Sequence, residues 1–74
     1  MQVKVKLFAT FRENREKEMM VEIAQGTTPM EIIDRFNILI EEVAIIMING
    51  KHANPDQVLE DQDTVAIFPP VGGG

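Results

Sequence analysis

The sequence predicts one small domain of the α+β class, in which a mixed β-sheet of four to five strands carries one main helix on one face. Its 74 residues are enough for one domain and too few for two. Two segments near opposite ends of the chain, 2–9 and 64–68, alternate along their length as strands with one buried face do. A Thr-Pro helix start signal at 28–29 and an Asn-Gly turn signal at 49–50 lie between them.

The first two strands are predicted to form a hairpin. Residues 2–9 and 18–23 both alternate, and the polar residues 12–17 between them indicate a turn. The inward-facing positions of this hairpin are Val3, Val5, Leu7, Met19, Val21 and Ile23.

One helix follows the hairpin. Thr28 is its predicted N-cap, Pro29 suits the first helical position, and Glu31 completes a Thr-x-x-Glu capping box. Asn37 is predicted to end the helix in the left-handed conformation, so that Ile38 packs back under it. The apolar stripe of the helix consists of Ile32, Ile33 and Phe36.

Three strands complete the chain. Residues 43–48 are predicted to be a buried strand, and the turn at 49–50 leads into a short strand at 51–53. The last strand, 64–68, ends at the two prolines 69–70, because a proline donates no hydrogen bond to a ladder. The order is β-β-α-β-β-β, and the simplest right-handed arrangement places the first and last strands side by side and parallel. This is the β-grasp layout of ubiquitin.

The composition argues against an enzyme that works alone. The chain has no Cys and no Ser, and its single histidine is His52, which excludes a Ser-His-Asp triad and a zinc site of the Cys/His type. The acidic pairs Glu41-Glu42 and Asp61/Asp63 come with no third ligand, and we interpret them as solubilising loop and turn residues. We therefore expect no catalytic residue, no metal ligand and no cofactor bound by this chain.

The charge and the apolar pattern predict the surroundings of the protein. A net charge of −5, with an isoelectric point near 4.6, argues against nucleic-acid or anionic-membrane binding. The longest nearly apolar run, 43–48, is far too short to span a bilayer. The absence of cysteine favours a reducing cytoplasm over secretion.

The C-terminus is the most informative segment. We expect residues 1–70 to form the domain and residues 71–74 to form a flexible glycine-rich tail, held away from the body by the stiff Pro-Pro pair. Glycines without side chains suit a narrow tunnel in a partner, so Gly72, Gly73 and Gly74 are predicted to thread into one. The alternative is an ordinary frayed terminus.

The sequence resembles the MoaD/ThiS family of sulfur carriers in three motifs. These are FAxxRE at 8–13, Asn-Gly at 49–50 and FPPVxGG at 68–74. The first and last motifs are closer to the molybdopterin synthase small subunit, whereas the short length and the INGK turn are closer to the thiamine branch. The family often has Asp-Gly-Asp where this chain has 61–63, so Gln62 carries roughly 1 kcal/mol of strain if that turn needs a positive φ.

The resemblance implies a carrier role for Gly74. A ubiquitin-activating-type enzyme would use ATP to adenylate its carboxylate, and a sulfur donor such as a cysteine desulfurase or rhodanese would convert it to a thiocarboxylate. The sulfur would then be delivered in molybdopterin synthase, whose large subunit supplies the catalytic side chains. The alternatives are thiazole synthase in the thiamine pathway, tRNA thiolation, protein conjugation through Gly74, or an inert β-grasp interaction module.

Strand parity predicts an apolar docking patch. Phe8 and Phe68 share the parity of the polar positions of their strands, so both rings fall on the outer sheet face, at the edge where the tail begins. We predict that they are exposed, with Leu59 at the rim of the patch. The alternative is that the rings fill a second small cluster or are partly covered by loops.

Cationic residues of the first hairpin complete the predicted interface. Arg12 is the arginine of the FAxxRE motif, with Arg15 and Lys17 nearby, and these residues could pair with acidic partner residues or form a solvated turn. The predicted partner interface consists of Phe8, Phe68, Pro69, Pro70, Leu59 and Arg12.

Overall fold

The computed structural model describes residues 1–70, which form a five-stranded mixed sheet. The first strand pairs in parallel with the last, with Val5 beside Val65 and Leu7 beside Ile67, and the other pairings are antiparallel. The predicted β-grasp order is therefore confirmed. The strands and the helix are β1 Gln2–Leu7, β2 Glu18–Glu22, α1 Pro29–Arg35, β3 Ile45–Ile48, β4 Lys51–His52 and β5 Thr64–Phe68. The strands lie in the order β2-β1-β5-β3-β4 across the sheet.

The hydrophobic core lies between one face of the sheet and α1. Five side chains of the central pair β1 and β5 are fully buried there, and Ile32 and Ile33 of the predicted helix stripe cover them. Each buried aliphatic side chain contributes about 1.5–3 kcal/mol, so this layer is the main source of stability. The five central side chains are Val3, Val5, Leu7, Val65 and Ile67.

The helix begins at the predicted N-cap, but the predicted capping box is wrong. The Thr28 side chain makes no capping hydrogen bond. Backbone acceptors satisfy the first turn instead, because Glu31 N–H donates to Thr28 O at 3.1 Å and Met30 N–H donates to Pro55 O at 3.0 Å. Pro29 has no N–H to satisfy, so a side-chain cap has little to add.

The predicted helix end is confirmed. Asn37 has a φ of 59°, its N–H donates to Asp34 O at 3.0 Å, and the N–H of Ile38 donates to Ile33 O at 3.1 Å. This pair of bonds is a Schellman motif with asparagine in the left-handed position. Arg15 adds a third partner from outside the helix, since its Nη2 donates to Phe36 O at 3.1 Å.

The chain after β1 departs from the predicted extended segment. The strand ends at Leu7, and Ala9, with a φ of 54°, starts a 3₁₀ helix at Ala9–Arg12. This reversal breaks the alternation and turns Phe11 inward, where it is 3% exposed. The segment between the first two strands, predicted to be a plain polar turn, is therefore preceded by a reversal that contributes a core residue.

The turn at 61–63 is structural rather than merely solubilising. An Asp61 carboxylate oxygen accepts the Gln2 N–H at 2.9 Å, and this hydrogen bond lowers the pKa of Asp61. The Asp63 carboxylate accepts the Glu60 N–H and the Asn49 side-chain amide, both at 2.8 Å. Gln62 between them has a φ of 70°, so the positive φ on which the predicted strain depends is present.

Replacing Gln62 with glycine is expected to stabilise the protein. Gly removes roughly 1 kcal/mol of left-handed strain but loses more backbone entropy on folding, so we expect a net gain of about 0.5 kcal/mol in the free energy of unfolding. The matched control is Gln57→Gly, an exposed loop position outside the positive-φ set. Urea unfolding measures both, and a destabilisation at Gln62 equal to that at Gln57 would contradict the strain.

Candidate docking surface

The outer face of the sheet carries a stacked pair of aromatic rings. Phe8 and Phe68 come directly after Leu7 and Ile67, the last pair in the register between β1 and β5, so the parallel register sets them side by side. Their ring centroids lie 4.2 Å apart with 12° between the planes, and both side chains are half-buried. The two sequence-predicted aromatics thus form one unit at the edge where the described chain ends.

Arg12 completes this unit from the 3₁₀ helix. Its guanidinium carbon lies 5.0 Å from the centroid of the Phe8 ring, and its Nε donates to Leu7 O at 2.7 Å. A cation over an aromatic face is attracted by the ring electrons, so this arrangement orders the guanidinium. Within residues 1–70 the Nη groups of Arg12 have no hydrogen-bond partner and are presented to solvent. We name Arg12, Phe8 and Phe68 the aromatic stack.

Three apolar side chains extend the stack along the sheet. The register pairs Ile45 with Phe68 and Met47 with Ala66, which places all four on the face opposite the helix. Each is half-buried. We name Phe8, Phe68, Ile45, Met47 and Ala66 the outer apolar patch.

Sequence reasoning missed the β3 part of this patch. The prediction of a buried strand over 43–48 holds for Ile46 and Ile48, whereas Ile45 and Met47 lie on the outer face. A signal was available. Residues 43–48 are apolar at both odd and even positions, so this strand has an apolar side on each face of the sheet. A single helix covers only one face, so the apolar side chains on the other face are left for a different contact.

Two predicted interface residues lie elsewhere. Leu59 is 2% exposed and belongs to the core, so its predicted place at the rim of the patch is wrong. The physical reason is its backbone anchor, since Leu59 N–H donates to Thr27 O at 2.9 Å and draws the connection against the helix start. Pro69 is buried too, and Pro70 is exposed. The predicted tail, Gly72, Gly73 and Gly74, lies outside the described residues.

Among residues 1–70, no three His, Asp or Glu side chains are grouped closely enough to hold a metal ion. His52 is exposed on the short edge strand β4, away from the aromatic stack. In that same range no helix is long and apolar enough to cross a membrane.

The family model of the ThiS family matches residues 5–74. The chain belongs to the ThiS family. This match runs from β1 to the last glycine and includes all three residues of the aromatic stack. This family belongs to the MoaD/ThiS group of ubiquitin-like sulfur carriers and modifiers. Among curated proteins, none is detectably similar to the chain in sequence.

Solved structures show the same β-grasp fold. A Pyrococcus furiosus protein, described as a candidate molybdopterin converting factor subunit 1, is 30% identical with a TM-score of 0.77, over 96% of this chain and 99% of that one. The small archaeal modifier protein 1 of Methanosarcina acetivorans is 27% identical with a TM-score of 0.70, over 99% and 96%. At 22% identity, a Helicobacter pylori molybdopterin-converting factor, solved as a complex of subunits 1 and 2, shares the fold with a TM-score of 0.69 and full coverage of both chains.

The stacked rings are expected to be energetically coupled. Because both are half-buried, Phe8→Ala and Phe68→Ala should each lower the free energy of unfolding by about 1–2 kcal/mol, with a coupling of about 0.5–1.5 kcal/mol in the double variant. Urea unfolding of the four proteins of the cycle measures it.

The control is a second double-mutant cycle in which Phe36 takes the place of Phe8. Phe36 is half-buried on the helix side of the sheet. Phe36→Ala and Phe68→Ala should add without coupling. Equal coupling in both cycles would show that the effect is a general loosening of the domain and not the ring contact.

Proposed function

We propose that this protein is a sulfur carrier for molybdopterin synthesis, loaded at the carboxylate of Gly74. The observation that carries the proposal is the position of the aromatic stack at the very end of β5. From Pro70 to Gly74 the backbone reaches at most about 14 Å. A partner that docks on the outer apolar patch therefore has the terminal carboxylate within reach of its own active site.

The proposed chemistry needs no catalytic group from this chain. A carboxylate is a poor acyl donor, so a ubiquitin-activating-type enzyme transfers AMP from ATP to a Gly74 oxygen and releases pyrophosphate. The persulfide of a cysteine desulfurase or rhodanese then attacks the acyl carbon, AMP leaves, and an acyl disulfide forms between Gly74 and the donor. A thiol of the donor system attacks the donor's sulfur in this disulfide, so that the donor is left in a new disulfide and the thiocarboxylate is released. The product is a thiocarboxylate at Gly74. The enzymes that bind ATP and donate sulfur form it in the cytoplasm.

Two similarities favour the molybdopterin pathway over the others. The FAxxRE and FPPVxGG motifs resemble those of the molybdopterin synthase small subunit. The 30% identical Pyrococcus furiosus protein is described as a molybdopterin converting factor subunit, and the Helicobacter pylori relative of the same fold is complexed with its subunit 2. The proposed acceptor complex therefore pairs this chain with a large subunit that binds the pterin precursor.

Protein modification is the second candidate. It is favoured by the 27% identity to the small archaeal modifier protein 1 of Methanosarcina acetivorans over nearly the whole chain. Both functions share the Gly74 adenylate and differ in what attacks it, because a lysine amine in place of sulfur yields an isopeptide bond.

Intact mass spectrometry of the chain purified from its native host tests the carrier state. We expect a species in which one oxygen of the Gly74 carboxylate is replaced by sulfur, because the adenylate is converted by the sulfur donor. A chain lacking Gly74 is the matched control and should stay unmodified. The absence of the sulfur species under sulfur-replete growth, together with full function of the truncated chain, would contradict the proposal.

Reconstitution tests the pathway. The thiocarboxylate form, incubated with the molybdopterin synthase large subunit and pterin precursor of the same organism, should yield a dithiolene-containing product, measured by its oxidised fluorescent derivative. The same carrier incubated with thiazole synthase is the control. Sulfur transfer only to the thiazole, or isopeptide adducts in place of sulfur transfer, would assign one of the alternatives.

A further inference from the structure

The cationic side chains are concentrated at one end of an acidic protein. Five of the seven Lys and Arg residues lie between positions 4 and 17, whereas residues 18–74 contain ten of the twelve acidic residues. The body therefore has a net charge of opposite sign to this first segment. Such a separation creates a local positive potential that the total charge of −5 conceals.

Three of these five cations surround an open depression beside the aromatic stack. Lys6, Phe8, Arg12, Lys17 and Glu18 line it. Lys6 reaches it from the outer face of β1, Arg12 from the 3₁₀ helix, and Lys17 from the residue before β2. The Phe8 ring belongs to both the depression and the outer apolar patch, so the two surfaces are continuous.

The other two cations of this segment are engaged within the protein. Lys4 pairs with Glu18 at 3.4 Å, and Arg15 donates to the carbonyl oxygens of Phe36 and Phe11. Arg15 is therefore neither a solvated turn residue nor a cation available to a partner, because its guanidinium caps the end of α1. Glu18, the one carboxylate of the depression, is occupied by Lys4.

The three remaining cations have no ion-pair partner in the part of the chain that the structure describes. Within residues 1–70 the only cationic groups in salt bridges are the Met1 amine, which pairs with Glu22, and Lys4, which pairs with Glu18. Lys6 is half-buried, Arg12 is stacked on Phe8, and Lys17 is exposed. Glu18 stands opposite Lys6 in the register of β1 and β2 and offsets part of this charge, but three cations against one carboxylate leave the depression with a positive potential that favours an anionic partner.

We infer that this depression receives an acidic segment of the adenylating enzyme, so that partner recognition combines the outer apolar patch with a carboxylate clamp at Lys6, Arg12 and Lys17. The inference rests on the proposed function. It names the chemistry of the partner surface, which carries at least two carboxylates beside an apolar contact. Arg12 offers a planar fork that suits a carboxylate, and the two lysines add point charges on either side.

Charge complementarity favours a protein segment over a small anion. The depression is open and its lysines are partly or fully exposed, so a free phosphate would keep most of its water and gain little. A segment that also covers the outer apolar patch excludes that water. Opposite charges across such a surface act mainly by accelerating association, which makes the rate the quantity to measure.

The experiment measures association of the full chain with the adenylating enzyme of the same genome by stopped flow. Lys6→Glu and Lys17→Glu are compared with Lys51→Glu, which makes the same charge change at an exposed site on β4. We expect the first two variants to associate about fivefold more slowly at low salt and to lose part of the salt dependence, whereas Lys51→Glu stays within about twofold of the wild type. Thermal unfolding verifies that each variant is folded.

Two results would overturn the inference while leaving the proposed function intact. One is an equal decrease in the association rate for all three variants while the wild-type chain is adenylated normally. The effect would then follow from net charge alone. The other is displacement of the enzyme by millimolar inorganic phosphate at constant ionic strength, which would make the depression a small-anion site. A wild-type chain that the enzyme never adenylates would instead overturn the proposed function and this inference with it.

Discussion

The parallel pairing of β1 with β5 is the constraint on which the rest of the structure depends. It joins two segments from opposite ends of the chain at the centre of the sheet, and its side chains Val3, Val5, Val65 and Ile67 have no exposed surface. Because this buried layer fixes the register, it also fixes the positions of the residues at the end of each strand. A slip of one residue would send the buried set to the outer face. The stacking of Phe8 on Phe68 is thus a consequence of core packing, and the core indirectly determines the surface beside the C-terminal segment.

The two faces of the sheet explain how so small a chain can both fold and bind. One helix of seven residues covers one face, whereas the apolar side chains of the other face stay half-exposed within residues 1–70. The outer face nevertheless carries apolar side chains in three adjacent strands, which a folding argument alone does not require. Strand alternation normally places polar residues at such positions. Lys4 and Thr64 obey the ordinary rule further along the same strands, whereas Met20, opposite Lys4 on β2, is a second exposed apolar side chain on this face.

Sequence reasoning predicted the fold well because its strongest signals are local. Asn37 at the helix end and the Asn-Gly turn at 49–50 each require a left-handed conformation that few residues adopt, and the structure has both. The capping box failed because neighbouring backbone carbonyls competed for the same donors. Leu59 was misplaced because a lone apolar residue in a polar connection has no periodicity to tell whether it points inward.

The candidate site was only half predictable for a related reason. Phe8, Phe68 and Arg12 follow from parity and motif, but the place of Ile45 depends on pairing between strands far apart in sequence. Which cations remain unpaired also depends on tertiary contacts. Arg15 and Arg12 lie three residues apart on one segment, and only the position of the helix end decides that Arg15 is occupied.

The proposed mechanism explains why recognition has to reside in the body of the protein. Ordering a residue in a partner's active site costs about 1–2 kcal/mol of backbone entropy, and glycine, which has no side chain to contact the partner, costs the most. Three terminal glycines therefore oppose binding by several kcal/mol. The docked surface must offset this, and a central aromatic anchor or a desolvated arginine contributes about 2 kcal/mol or more. It follows that different partner enzymes, which all bind the same three terminal glycines, are distinguished mainly by how they contact the aromatic stack and the cations beside it.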